Sequence, residues 1–276
     1  MRIHAVPQWQ GALWQGAATR LPDGCRTLAT LAAEVLGEPV HMVAVETAGS
    51  AGSDTVDGIG NKAVLVRNRD AQLAALEAPE GKVLTIGGDC GTDLVPAGVA
   101  RYRYGENLGV VWFDAHADCN TPDSSPSGAF HGMVLRALLG EGDCEFAASP
   151  AVAAGRVVLA GTRALDEAER DVVEAGLVRH VPPPAEARDI VTALRQAGAT
   201  KIYLHIDLDV LDAGEFGWTG YHEPGGISIA RLVAAVAGLA ELEVVGAAVT
   251  ECAASKREQV EPLRPLFDVL GRLLAR

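Results

Sequence analysis

The chain has 276 residues, 49% of them hydrophobic, which is enough for a sizeable buried core and excludes a disordered chain. Its formal net charge of −13 and its 5% aromatic content argue against nucleic acid as a partner, because phosphate binding rests on a Lys/Arg excess and base binding on stacking platforms. The same charge would attract a small cationic substrate.

In chain order, short runs of strand-forming residues alternate with longer stretches of helical spacing. The spacing predicts a helix over 26–36, a strand over 41–47 (HMVAVET), a helix over 63–76 and a strand over 82–88 (KVLTIGG). A strand over 108–116 (LGVVWFDAH), a helix over 133–139, a strand over 156–161 (RVVLAG) and helices over 166–175 and 185–196 follow. The last third reads as a strand over 201–211 (KIYLHIDLDVL), a helix over 229–239, a strand over 242–251 (LEVVGAAVTE) and a closing amphipathic helix over 262–276. Such alternation implies parallel strands joined by crossover helices: an α/β fold, a three-layer α/β/α sandwich with a mostly parallel central sheet. The strands are apolar almost throughout, as expected when both sheet faces are covered. With no internal repeat, low-complexity linker or convincing boundary, residues 1–276 read as a single domain.

The five cysteines (Cys25, Cys90, Cys119, Cys144 and Cys252) are odd in number and lack CxxC spacing, which fits a reduced cytosolic protein. The opening MRIHAVPQWQ contains no apolar signal stretch, and the most membrane-like run, 232–250, is interrupted by Glu241 and Glu243. The expected setting is the cytoplasm, with no membrane partner.

In open α/β sheets ligands bind beyond the carboxyl ends of the strands, so polar residues there are the ones to inspect. Four places qualify: Asp89-Cys90-Gly91, the run from Asp114 to Asn120, the run from Asp207 to Asp212, and Glu251. In an extended chain, side chains alternate with a period of two, which puts Asp114, His116 and Asp118 on one side, and likewise Asp207 and Asp209. So dense a set of carboxylates is unfavourable unless cations neutralise it. Carboxylate and imidazole donors suit Mn²⁺, Fe²⁺ or Zn²⁺, and bridging carboxylates suggest two ions roughly 3.5–4 Å apart. Alone, either motif also fits a solvated loop or a capping turn; together, on separate strands, they point to metal. His131 alone also fits a helix-start histidine, and Glu251 alone a solvated strand end. His205 shares the parity of Asp207 and Asp209 one step further from the sheet edge and reads as a supporting or structural residue, as do His4, His41, His180 and His222, which carry no spacing signal.

The segments GGDCGTDL, WFDAHADCNTPDSSPSGAFHGM and HIDLDVLD and the late Glu251 resemble, in order, the signature blocks of the arginase/agmatinase (ureohydrolase) family: GGDHS, DAHxDxN with SGxxHG, DxDxxDP and a late Glu. The resemblance spans roughly residues 80–255; its second and third blocks are the specific ones. It implies two divalent ions, Mn²⁺ in the first instance, held by Asp114, His116, Asp118, Asp207 and Asp209 with Asp114 and Asp207 bridging, and by Cys90 at the position of the first-block ligand. His131 becomes the proton shuttle and Glu251 the carboxylate facing a guanidinium, while Asp118 could also orient the hydroxide. Asn120 and Ser127 match positions that bind an α-carboxylate, and Asp166 and Glu169 positions that bind an α-amino group, although acidic first-turn residues also cap helices. The implied reaction is hydrolysis of a guanidino C–N bond in an arginine-like substrate, releasing urea and ornithine, by a homo-oligomer of three or six chains.

The pattern departs at Cys90, where the family normally has a metal-binding His, at Ala213, where it usually has Pro, and at Ala129 and Tyr221, where arginases tend to have Asn and Thr. Thiolate is softer than imidazole and disfavours Mn²⁺ relative to Zn²⁺ or Fe²⁺. A weakened site suits a less basic, N-hydroxylated guanidine, which keeps Nω-hydroxy-L-arginine as an alternative substrate. An agmatinase-like enzyme, a non-catalytic relative and an amide hydrolase on the related deacetylase fold complete the alternatives.

Overall fold

The computed structural model describes residues 1–47, 54–76 and 81–276. In chain order its elements are β1 (Arg2–Val6), α1 (Ala17–Leu36), β2 (Val40–Met42), a short antiparallel pair β3 (Thr55–Val56) and β4 (Ile59–Gly60), and α2 (Lys62–Leu76). Then come β5 (Val83–Gly87), α3 (Leu94–Tyr104), β6 (Leu108–Phe113), α4 (Val134–Leu138), β7 (Val157–Ala160), α5 (Glu167–Glu174), β8 (Arg179–Val181) and α6 (Ala187–Gln196). The chain closes with β9 (Lys201–Asp207), α7 (Ile229–Gly238), β10 (Glu243–Thr250), α8 (Arg257–Val260) and α9 (Arg264–Leu274). Among the described residues, eight strands form one sheet in the order β2-β1-β5-β10-β9-β6-β7-β8, parallel throughout.

Each face of this sheet carries its own core, which is why the central strands are apolar at successive positions rather than alternate ones. On one face Ile202, Leu204 and Ile206 of β9 pack with Leu28 of α1, Leu194 of α6, Leu232 of α7 and Leu270 of α9. On the other, Tyr203, with Val110 and Trp112 of β6, packs against Leu94 and Ala97 of α3 and Val134 and Leu138 of α4. The expected three-layer α/β/α arrangement is therefore present, and β9 turns Tyr203, His205 and Asp207 towards the α3/α4 side.

Several elements differ from the sequence expectations. Strand β1 pairs between β2 and β5, and β8 adds the far edge; neither short run was predicted. The predicted strand over 41–47 is reduced to β2, and the one over 201–211 leaves the sheet after Asp207 in a tight 3₁₀ turn over Leu208–Val210. Helix α3 is an addition to the expected elements; Pro96 lies in its first turn, where the missing N–H has no partner to lose. Helix α1 begins nine residues before the expected 26 and runs through Pro22. Packing overrides propensity there: a Cβ at Gly24 would sit 1.7 Å from the Cys252 carbonyl oxygen, so only glycine allows α1 to lie against the chain leaving β10.

Candidate active site

The carboxyl ends of β5, β10, β9 and β6 lie side by side in the middle of the sheet, and each delivers polar residues at the point where its apolar run stops. The end of β10 is tied to the end of β5 by the Glu251 N–H donating to the Gly88 carbonyl at 2.8 Å. Gly88 in turn lies against the Gln8 carbonyl, where a Cβ would be 1.8 Å away. Beyond β6, the Asp118 carbonyl accepts from Leu135 N–H at 3.0 Å and Arg136 N–H at 3.3 Å, which anchors the loop to the start of α4. Asp118 and Glu251 both adopt left-handed backbone conformations, φ 53° and 60°, unfavourable for residues bearing a Cβ. Such backbone strain concentrates at functional sites.

The five ligand-type residues expected at this edge do converge, by a different route from the uniform period-two strand. Asp114 and Asp207 stand at the strand ends, whereas Asp209 is turned inward by the 3₁₀ turn, its N–H donating to Asp207 Oδ1 at 2.7 Å. Asp118 comes round through its left-handed bend. His116 Nδ1 lies 2.9 Å from Asp209 Oδ2 and 3.4 Å from Asp114 Oδ1, and Asp209 Oδ1 accepts from the Ala115 N–H at 3.0 Å. Cys90, from the 3₁₀ turn after β5, donates its S–H to Asp207 Oδ2 at 3.0 Å, and its backbone N–H donates to Glu251 Oε1 at 3.1 Å. Ligand atoms within 4.8 Å of one another form three groups: Cys90 with Asp114, Asp118 and His205; Cys90 with Asp207 and Glu251; and Asp114 with His116 and Asp209.

This edge holds more acid than it can ionise by itself. Burial, then the neighbouring carboxylates, raises Asp118 and Asp207 well above the usual carboxylate range and Asp114 in the same direction. Burial and Asp207 likewise push the Cys90 thiol up. Burial opposes charge on His116 as well, but its bonds to Asp114 and Asp209 outweigh that and raise it, while the same contact lowers Asp209 against the effect of burial. Among the described residues, Asp118 Oδ2 and Glu251 Oε2 are buried with no hydrogen-bond partner. Orphaned buried carboxylate oxygens beside imidazole and thiol donors are what a cation-binding centre requires, so the residues present fit divalent metal.

Above this edge opens a cavity of about 440 Å³ lined by His116, Asp118, Asn120, Ser127, His131, Asp166, Glu169, Asp207 and Asp209. His131 Nδ1 meets Glu251 Oε1 at 3.0 Å; burial opposes its charged form, but Glu251 wins and raises its pKa. The capping expected of Asp166 and Glu169 is built: Asp166 Oδ1 accepts from Glu169 N–H at 2.9 Å, and Glu169 Oε2 from Asp166 N–H at 3.2 Å. Their other oxygens hold the opposite wall, Asp166 Oδ2 accepting from Asn120 Nδ2 at 2.7 Å and Glu169 Oε1 from Cys119 N–H at 3.2 Å. Capping and cavity lining thus coexist in the same two residues. Ser127 is exposed on the rim.

Three further residues stand at the site, of which only His205 has a reading from the sequence, as supporting or structural. Glu223 also lines the cavity, with Oε1 3.9 Å from His116 Nε2. Tyr221, noted in the sequence only as a departure, sets its ring 5.7 Å from both His116 and His131. His205 is the third: its Nε2 lies 3.5 Å from Cys90 Sγ.

A parallel sheet with carboxylates, imidazoles and a thiol gathered at its carboxyl edge defines an α/β protein with a candidate metal centre. The sequence profile of the arginase family matches residues 17–261, and the chain belongs to that family. It is 33% identical over 177 residues to the arginase of Bacillus caldovelox, covering 60% of this chain and 58% of that protein, so the match spans little more than half of the relative's length. It is 30% identical over 181 residues to the N(omega)-hydroxy-L-arginine amidinohydrolase of Streptomyces lavendulae, covering 64% of each. The fold is similar to that of an Entamoeba histolytica arginase solved in complex with L-ornithine, with a TM-score of 0.85, 22% identity and 98% of each chain covered. No helix among the described residues is long and apolar enough to cross a membrane.

Proposed function

We propose that this chain, acting as one catalytic unit over residues 1–276, is a two-metal hydrolase that cleaves a guanidino C–N bond of an arginine-like substrate, releasing urea and ornithine. The observation that carries the reading is the gathering of Asp114, His116, Asp118, Asp207 and Asp209 with the His131–Glu251 pair at one sheet edge, beneath a cavity of about 440 Å³. Asp114, His116, Asp207 and Asp209 would hold one divalent cation and Cys90, Asp114, Asp118 and Asp207 the other, Mn²⁺ being the family's expectation. Such a pair supplies hydroxide near neutral pH by lowering the pKa of a shared water.

The chain's own residues do the rest. Glu251 keeps Oε1 on the Cys90 N–H and His131 and leaves Oε2 without a partner, a buried anionic acceptor for the guanidinium. His131, held at Nδ1, presents its other nitrogen to protonate the departing amine. By the resemblance Asn120 and Ser127 would take an α-carboxylate, and Asp166 and Glu169 an α-ammonium; their lining of the same cavity supports this. The net charge of −13 favours capture of a cationic substrate.

Cys90 favours a second reading, in which the substrate is Nω-hydroxy-L-arginine and the product hydroxyurea. A thiolate at this position holds Mn²⁺ less firmly than imidazole, and the less basic N-hydroxyguanidine demands less activation. Parallel turnover of arginine and its N-hydroxy derivative by the metal-loaded protein decides: preference for arginine removes the second reading, preference for the N-hydroxy compound removes the first. Turnover of neither removes both.

A further inference from the structure

We propose that His205 is itself a metal ligand, paired with Cys90, and that the deeper of the two cation positions therefore carries an imidazole and a thiolate beside its carboxylates and selects Zn²⁺ over Mn²⁺. The inference rests on the two-cation reading above and deepens it. The ureohydrolase pattern names no ligand at this strand position, and nothing in the sequence motif sets His205 apart from a structural histidine.

The geometry does set it apart. His205 is fully buried and lies in register between Trp112 of β6 and Ala248 of β10. Its ring stacks on Trp112 with centroids 3.5 Å apart and planes 9° from parallel, and Trp112 Nε1 donates to Asp114 Oδ2 at 3.1 Å, so one indole orients two members of the site. On the side away from the site, Nδ1 meets Asp93 Oδ2 at 2.8 Å, and the other oxygen of that buried carboxylate accepts from Tyr203 OH at 2.6 Å. Asp93 has only acceptors to offer at Nδ1, so Nε2 is the ring nitrogen left to face the cluster. A carboxylate behind the far nitrogen is how metal-bound histidines are held.

Nε2 is aimed at the cluster. Among the described residues it meets no oxygen or nitrogen donor, only Cys90 Sγ at 3.5 Å. Two ligands of one tetrahedral Zn²⁺, at about 2.3 Å for sulfur and 2.0–2.1 Å for nitrogen, stand roughly 3.5 Å apart. Donor atoms of Asp114 and Asp118 complete a group of four within 4.8 Å of one another, and Asp118 Oδ2 is one of the two buried carboxylate oxygens that lack a partner among the described residues. The same short turn, Cys90–Asp93, thus supplies the thiol at one ring nitrogen and the carboxylate at the other. A donor set with sulfur and nitrogen prefers Zn²⁺ to Mn²⁺. On binding, the Cys90 S–H bond breaks, sulfur keeps the electron pair as the metal–sulfur bond forms, and the proton leaves to solvent, so uptake weakens as pH falls.

The test is competitive loading of the full-length, metal-stripped protein with Zn²⁺ and Mn²⁺, read by metal content after dialysis against a chelator, together with a zinc-edge anomalous map of the loaded wild type. The expected result is one tightly held Zn²⁺ at bonding distance from His205 Nε2. In His205→Gln, retention should weaken by more than about a hundred-fold, beyond what losing an outer partner costs. Asp93→Asn, a positioning change, should weaken it by about ten- to a hundred-fold. An ion out of bonding range of Nε2, or a folded His205→Gln that retains Zn²⁺ as the wild type does, overturns the inference and leaves the two-cation reading standing. A wild type that takes up neither metal overturns both.

Discussion

His131 Nδ1 and Glu251 Oε1 lie 3.0 Å apart although 120 residues separate them in the chain. The contact fixes which ring nitrogen faces the cavity and how the carboxylate is shared, because Oε1 also accepts the Cys90 N–H. If His131 protonates the leaving amine, His131→Asn should lower kcat by about a hundred- to ten-thousand-fold while metal content stays that of the wild type. Turnover and metal analysis on the same sample check this, and loss of metal would give His131 a ligand role instead.

Glu251→Gln retains an oxygen for the Cys90 N–H but removes the negative charge from the site. The expected outcome is a fall in kcat/KM of about thirty-fold or more for guanidino substrates, the cost of leaving one member of a buried charge pair alone. Steady-state kinetics at fixed metal loading measure it; an unchanged kcat/KM would place the substrate cation elsewhere.

Asp209→Asn can keep the bond from the Ala115 N–H, so the local turn survives while the charge facing His116 is lost. One of two cations should then be lost on dialysis against a chelator, and the metal-free protein should melt lower than the wild type, because His116 loses a buried carboxylate partner. Retention of both cations would remove Asp209 from the ligand set.

Away from the site, burial and then the charges of Arg2 and His41 depress His4 to about 4. Between the ordinary value near 6.5 and about 4, the unfolded chain binds a proton at His4 that the folded chain refuses, so stability falls with pH across that window. Above it both states are neutral at His4, and below it both are charged. The urea midpoint of the wild type should drop further from pH 6.5 to pH 4 than that of His4→Asn; parallel slopes would contradict the assignment.

Gly24→Ala would drive a methyl into the Cys252 carbonyl, backbone against backbone with no flexible side chain to yield. We expect a loss of about 3 kcal/mol, at the upper end for overpacking, and reduced turnover because Cys252 directly follows Glu251. Urea denaturation monitors the first effect and kinetics the second.

How much of this was legible in the sequence depends on where each signal sits. Asp114, His116, Asp207 and Asp209 were readable because apolar strands announce their own ends and the sheet places those ends together. The manner of convergence was not, because Asp118 arrives through a left-handed bend and Asp209 through a 3₁₀ turn that no alternation rule encodes. The first nine residues of helix α1 were not legible, because the helix runs through Pro22 and Gly24 against the Cys252 carbonyl, a long-range contact that local spacing does not encode. His205 was invisible as a donor for a similar reason: its partners Cys90 and Asp93 lie more than a hundred residues away, and only the β5–β10–β9 order brings them to it.

The central claim is that this edge binds two divalent cations and uses them on a guanidino carbon. The most direct measurement is metal content per chain after loading with Mn²⁺ and Zn²⁺, with urea and hydroxyurea release from arginine, Nω-hydroxy-L-arginine and agmatine assayed on the same protein. We predict two cations per chain and release from arginine or its N-hydroxy derivative. A chain that retains no metal and releases neither product from any of the three would contradict the account.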